Sequence, residues 1–241
     1  SFETYTDHLN EHLSVLGRCV RLETLKLITE GDAAMDRGDL PRMTLPSLLS
    51  FQLEVDQAHY SLFTGILLRL TLPRLQSLEI CDRWSTNKTK SCVVLQTMRM
   101  ILQESKCELQ SLYLYSDILD PEDAESPVVT VDEPTLGALL HDVQNTLRKL
   151  TISVVGLTGE FLRGFEPECL EEFDFRDCLP PAVLMAEGEL VGWLEQQMRR
   201  EGGRERCRRM KTTLHREDTD YTPSNQWYEL GKDGYPFFID C

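Results

Sequence analysis

Residues 45–56, Leu-Pro-Ser-Leu-Leu-Ser-Phe-Gln-Leu-Glu-Val-Asp, return as residues 72–83, Leu-Pro-Arg-Leu-Gln-Ser-Leu-Glu-Ile-Cys-Asp-Arg, with Leu48, Phe51 and Leu53 answered by Leu75, Leu78 and Ile80. The shared phrase is an aliphatic residue, two variable residues, a large apolar residue, one variable residue and another large apolar residue. Working outward, it recurs upstream at Leu22/Leu25/Leu27 and downstream at Leu109/Leu112/Leu114, Leu147/Leu150/Ile152 and Leu170/Phe173/Phe175. Successive copies begin 26, 27, 34, 38 and 23 residues apart. Repetition on that scale marks a solenoid, because a unit so small cannot bury its apolar face alone and gains a core only by stacking on its neighbours. The phrases predict an α/β fold in which each lends one short strand to a shared parallel sheet, and they predict one elongated unit over residues 19–216.

Between the phrases the apolar spacing is helical. Gln57–Leu70, Cys92–Ser105 and Thr135–Leu147 each put a stripe of aliphatic side chains on one face, and Pro46, Pro73 and Pro134 fall before strands or at a helix start, where proline is tolerated. Residues 1–18 read as a helix, Phe2–Gly17, of a preceding or partial repeat. That beginning, without an initiator methionine, leads us to expect a segment of a longer polypeptide. The longest interruption, Ser116–Pro134, holds seven acidic residues, three prolines and no basic residue, and reads as a mobile acidic loop on the rim. Glu187–Gly202 predicts a further helix with Leu190, Trp193, Leu194 and Met198 on its apolar side. A basic run from Arg199 to Lys211 follows and reads as a solvated face, and Met210–His215 is strand-like. Residues 217–241, with Trp227, Tyr228, Tyr235, Phe237 and Phe238, are too aromatic for a free linker and are expected to cap the last repeat.

Composition narrows the function. Residues 1–198 carry 16 basic and 32 acidic side chains, a net of −16, and residues 199–241 carry 9 and 8, a net of +1. An acidic body repels phosphate backbones, which argues against nucleic acid as a partner. No apolar run reaches the roughly 18 to 20 residues that span a bilayer, so no membrane role is expected. The eight cysteines stand singly, without Cys-x-x-Cys pairs, as expected of thiols in a reducing compartment, cytoplasmic or nuclear.

Signatures of catalysis and of cofactor binding are missing. There is no phosphate-binding glycine loop, nucleophile elbow, His-Glu-x-x-His or dinucleotide fingerprint. His8 and His12 are one helical turn apart, but no third ligand is implied, and Cys207 sits among arginines without a partnering base. The expectation is a protein that binds rather than catalyses, with neither cofactor nor metal.

The phrases resemble the leucine-rich repeat pattern L-x-x-L-x-L-x-x-N/C-x-L, and the copy Leu170–Cys178 carries the cysteine at the ninth position. Glu30, Asp56, Arg83, Asp117 and Val155 replace that residue elsewhere, which speaks against the asparagine-laddered extracellular subclass. Irregular spacing, full helices between phrases and the Leu-Pro-x-Leu leads are similar to the divergent repeats that follow the F-box in fungal F-box proteins. The resemblance covers roughly residues 1–216. It implies a leucine-rich repeat solenoid with a curved parallel β-sheet on its concave side and helices on its convex side. It further implies a protein substrate held by the repeats and a cullin ligase adaptor reached only through an F-box, which residues 1–241 do not contain. A repeat scaffold with no ubiquitin link is the alternative, followed by an enzyme or a GTPase-activating repeat protein.

Strand alternation tells which side chains a partner would meet. Positions one, four and six of the phrase point into the core, so positions three, five and seven face outward on the sheet. From this grid Lys26, Gln52, Glu54, Glu79, Tyr113, Tyr115, Thr151, Asp174 and Arg176 are the candidate partner-binding residues. Tyr113 and Tyr115 are the expected anchors, since aromatic burial supplies contact area at little entropic cost, and Glu54, Glu79 and Asp174 would favour a basic ligand.

Overall fold

Alternation of buried and outward side chains suits the phrase to a strand, and its backbone then needs a partner on each side. The computed structural model describes residues 2–5, 15–28, 42–56, 60–83, 88–116, 131–154, 157, 159–176, 192–193, 196–197, 199, 212–217, 223–230 and 236–239. They form an α/β structure in which the strands carrying the phrases run parallel. Where the phrases predict one unit, the chain divides into two, Ser1–Pro127 and Val128–Cys241, and the boundary falls in the acidic insertion, which carries no phrase.

In the first unit β1 (Phe2–Tyr5), β2 (Thr24–Ile28), β4 (Ser50–Asp56), β6 (Ser77–Arg83) and β7 (Ser111–Ser116) pair in that order, all parallel. The phrases align residue for residue: Leu25 pairs with Phe51, Phe51 with Leu78 and Leu78 with Leu112. Positions one, four and six are buried in every copy of this unit. A backbone signature recurs with them. The carbonyl of position two accepts from the N–H groups of positions two and three of the next copy: Glu23 from Leu49 and Ser50 at 2.8 and 3.0 Å, Leu49 from Gln76 and Ser77 at 2.9 and 2.9 Å, Gln76 from Gln110 and Ser111 at 2.8 and 2.9 Å. Each copy is thereby keyed to the next before its strand begins.

The leads are turns as well as spacers. Leu48 and Leu75 donate to the carbonyls of Leu45 and Leu72, closing one turn before β4 and one before β6. Just ahead of these turns a short parallel pair forms, β3 (Met43–Thr44) with β5 (Leu70–Thr71). It ends α1 (Tyr60–Leu67) earlier than periodicity predicts, because Leu70 is taken by the pairing. In the next copy the place of a strand carbonyl is taken by a side chain. The backbone N–H of Leu72 donates to Ser105 Oγ at 2.8 Å, where α2 (Lys88–Ser105) stops and Lys106 turns left-handed with φ 52°. Both bonded groups are buried, so this contact replaces one that the ladder would otherwise supply.

The helix predicted from Phe2 is corrected at its start. Phe2–Tyr5 is the strand β1, paired from Phe2 with Leu25 to Tyr5 with Ile28; helix geometry appears at residues 15–16, and residues 6–14 lie outside the described residues. Aromatic and β-branched residues suit a strand, and the unpaired edge of β2 offers a row of backbone partners that outweighs a weak local helical pattern.

In the second unit α3 (Glu133–Val143) precedes β8 (Lys149–Ser153), a 3₁₀ turn (Glu160–Leu162) and β9 (Glu172–Arg176). β8 and β9 pair parallel with the same register and the same signature, Arg148 accepting from Glu171 and Glu172 at 2.7 and 3.0 Å. Most of the acidic insertion, residues 117–130, lies outside the described residues. Its last four residues are structural, which corrects the reading of a solvated loop there. Val131 and Glu133 are buried, and Asp132 caps α3 by accepting from the Thr135 N–H and hydroxyl. Glu133 Oε2 accepts from the Phe161 N–H at 3.2 Å, tying α3 to the 3₁₀ turn. The approach is close: a Cβ on Gly137 would lie 3.2 Å from the Phe161 carbonyl oxygen. The turn itself opens on Gly159 at φ 89°, a conformation glycine reaches without strain.

Residues 192–193, 196–197 and 199 are helical, within the helix predicted over Glu187–Gly202. Trp193 is its anchor, 5% exposed, stacked on Phe165 with ring centroids 5.8 Å apart, tilted on Phe173 at 5.3 Å, and donating Nε1–H to the Phe165 carbonyl at 2.8 Å. The strand predicted over Met210–His215 is met by β10 (Thr212–Glu217). It pairs antiparallel with β11 (Pro223–Leu230), and β11 with β12 (Pro236–Ile239), while β10 lies beside β9. The boundary expected at 216/217 therefore falls inside a strand.

Candidate partner-binding face

Parallel registry turns the outward positions of the phrase into columns across the first unit. Position three is Thr24, Ser50, Ser77 and Ser111; position five is Lys26, Gln52, Glu79 and Tyr113; position seven is Ile28, Glu54, Cys81 and Tyr115. The predicted grid is thus met here row by row, and the serine column leaves low ground beside the longer side chains. Ile28 departs from it: at 5% exposure it belongs to the core. Gln52, Glu54, Glu79, Tyr113, Tyr115 and Lys26 are all partly exposed.

Charge on this face is arranged diagonally. Lys26 Nζ meets Glu54 Oε1 at 3.1 Å across one column and one row, with the two side chains 28% and 15% exposed. Gln52 Nε2 donates to Glu79 Oε1 at 3.2 Å along the fifth column. Burial pushes the Glu79 carboxyl above its ordinary value of 4.5, Lys26 draws it down, and the nearby Glu54 charge pushes it up again.

In the second unit the grid is kept but less of it is usable. Lys149 and Glu172, opposite each other at position three, form an ion pair at 2.8 Å, and Arg148 and Glu171 beside them another at 3.0 Å. Both pairs are half in solvent and contribute little stability. Thr151, predicted as a contact, is 6% exposed, too buried to meet a partner on the candidate face. Asp174, its partner in register, is partly buried, and Arg176 ends β9, its side chain outside the described residues.

Other chemistry finds little footing. Among the described residues no group of three or more His, Cys, Asp or Glu side chains is placed to hold a metal ion. His141 is exposed in the last turn of α3, while His8, His12, His59 and Cys207 lie outside the described residues. Among the described residues Cys19, Cys81, Cys92, Cys107 and Cys169 are not joined in disulfides, and burial pushes the Cys107 thiol up, away from the reactive thiolate. No helix of the described residues is long and apolar enough to cross a membrane.

Sequence reasoning gave the outward strand positions but missed the pairing among them. Lys26 and Glu54 sit 28 residues apart in the chain, and only the strand register makes them diagonal neighbours. No family model, no curated protein and no solved structure matches this chain.

Proposed function

We propose that this chain is a protein–protein recognition module, a leucine-rich repeat solenoid that serves as the substrate-binding region of an F-box type ubiquitin ligase subunit. The observation that carries the recognition reading is the in-register outward face of β2, β4, β6 and β7. It presents Lys26, Gln52, Glu54, Glu79, Tyr113 and Tyr115 beside the small column Thr24, Ser50, Ser77 and Ser111, while positions one, four and six of each phrase are buried in the core. Tyrosine is enriched in protein interfaces and polar groups make up their rim, and a parallel sheet holds such side chains at fixed spacing. The repeated carbonyl signature supports reading the phrases as one kind of unit used several times. Further support for a protein partner over nucleic acid comes from the acidic balance of residues 1–198. The ubiquitin link rests on the resemblance in spacing and leads alone.

The test is affinity purification of the intact parent protein from its own cells, with mass spectrometry of what accompanies it. Recovery of a cullin and its adaptor is the expected result. Their absence, with other partners recovered, would leave a binding scaffold and remove ubiquitin from the account.

A further inference from the structure

We infer that Tyr113 and Glu79 together receive the arginine or lysine side chain of an extended segment of the partner protein. The inference rests on the recognition reading above and assigns the chemistry of its central contact.

Of the three carboxylates expected to favour a basic ligand, the structure singles out one. Glu54 is already answered by Lys26 at 3.1 Å. Asp174 belongs to the second unit. Glu79 holds only a neutral donor, the Gln52 amide, on Oε1, and no cation lies within 4.0 Å of its carboxylate among the described residues. Its negative charge is partly buried and under-compensated: desolvation outweighs the pull of Lys26, and Glu54 adds to the cost. A second cation would relieve that imbalance.

The neighbour in register supplies the other half of the site. Tyr113 stands beside Glu79 on the adjacent strand, about 4.8 Å away in the hydrogen-bonding direction. A guanidinium or ammonium placed against the ring face is attracted by the ring quadrupole and, from the same position, pairs with the carboxylate. Ser77 and Ser111, paired two residues earlier on the same two strands, are too small to block the approach, and Tyr115 stands two residues beyond Tyr113. An extended segment crossing the serine column could lay one long basic side chain into this gap. The excess of 32 acidic over 16 basic residues in 1–198 draws a basic segment toward the protein at long range.

Two pools of short fluorescein-labelled peptides test this, each randomised over uncharged residues, with arginine fixed at the centre of one and its neutral isostere citrulline at the centre of the other. Fluorescence anisotropy with the 241-residue chain should show the arginine pool binding about tenfold more tightly. Glu79→Gln should bring it to the citrulline level, Tyr113→Leu should weaken it, and Tyr113→Phe should leave it unchanged, with circular dichroism checking that each variant is folded. Equal binding of the two pools, no binding by either, or an arginine preference indifferent to Glu79→Gln overturns the inference. A natural partner recovered with the parent protein separates the two levels. If Gln52→Ala or Tyr115→Ala weakens that partner while Glu79→Gln does not, the cation contact falls and the recognition face stands; if none of these variants weakens it, both fall.

Discussion

Replacing Trp193 by alanine probes whether the segment after β9 is locked to the second unit. The ring is 5% exposed, and an indole of this kind removes on the order of 200 Å² from water, which at about 25 cal/mol per Å² is roughly 5 kcal/mol as an upper bound. Loss of the Nε1–H bond to the Phe165 carbonyl adds about 1 kcal/mol, and partial collapse of the site onto Phe165 and Phe173 returns some of the total. We expect a net loss of about 4 kcal/mol, or release of the segment at a smaller loss if it opens before the unit does. Trp193→Phe keeps most of the area and removes the donor with part of the ring, so it should cost about 1 to 2 kcal/mol. Urea unfolding gives the totals, and hydrogen exchange of the β8 and β9 amides tells local opening from global loss. A cost below about 1 kcal/mol for Trp193→Ala with unchanged exchange, or equal costs for alanine and phenylalanine, would refute the reasoning.

Ser105→Ala should cost about 1 to 3 kcal/mol in urea unfolding, because it leaves the buried Leu72 N–H without its acceptor, and Ser105→Thr should recover part of it. Asp132→Ala removes the cap of α3 and should cost about 1 kcal/mol, with Asp132→Asn close to neutral by the same assay. For Glu79 the sign follows from its raised carboxyl: the folded state holds the proton more tightly than the unfolded chain, so the group's contribution is complete below 4.5 and is lost as pH rises through the raised value. Glu79→Gln should therefore be at least as stable as the parent at neutral pH, with the difference vanishing below the ordinary carboxylate range; thermal melts at both pH values check this, and a less stable variant at pH 7 would contradict it.

How far the sequence could be read depended on whether a feature is local. The phrase Leu48-Leu49-Ser50-Phe51-Gln52-Leu53 carries its own period-two alternation, so its copies could be superposed on paper and their strand register follows, as the pairing of Gln52 with Glu79 and of Glu79 with Tyr113 shows. The helices between phrases were legible as well, but their ends were not: Leu70 is lost to the pairing with Met43, and α3 begins at Glu133 because Asp132 is free to cap it. Phe2–Tyr5 went astray for a related reason, since a strand at a sheet edge is decided by the neighbour that offers a ladder.

The sequence by itself determined the repeat, the apolar positions that make the core and the columns that face outward, because all three follow from spacing within a few residues. Only the tertiary structure decided which outward positions are available. It buried Ile28 and Thr151, turned Glu133 from a loop acid into a tether on Phe161, and joined Lys26 to Glu54 while leaving Glu79 beside Tyr113. Exposure and charge pairing depend on side chains brought together from distant points of the chain, and no local pattern encodes how high each neighbour stands.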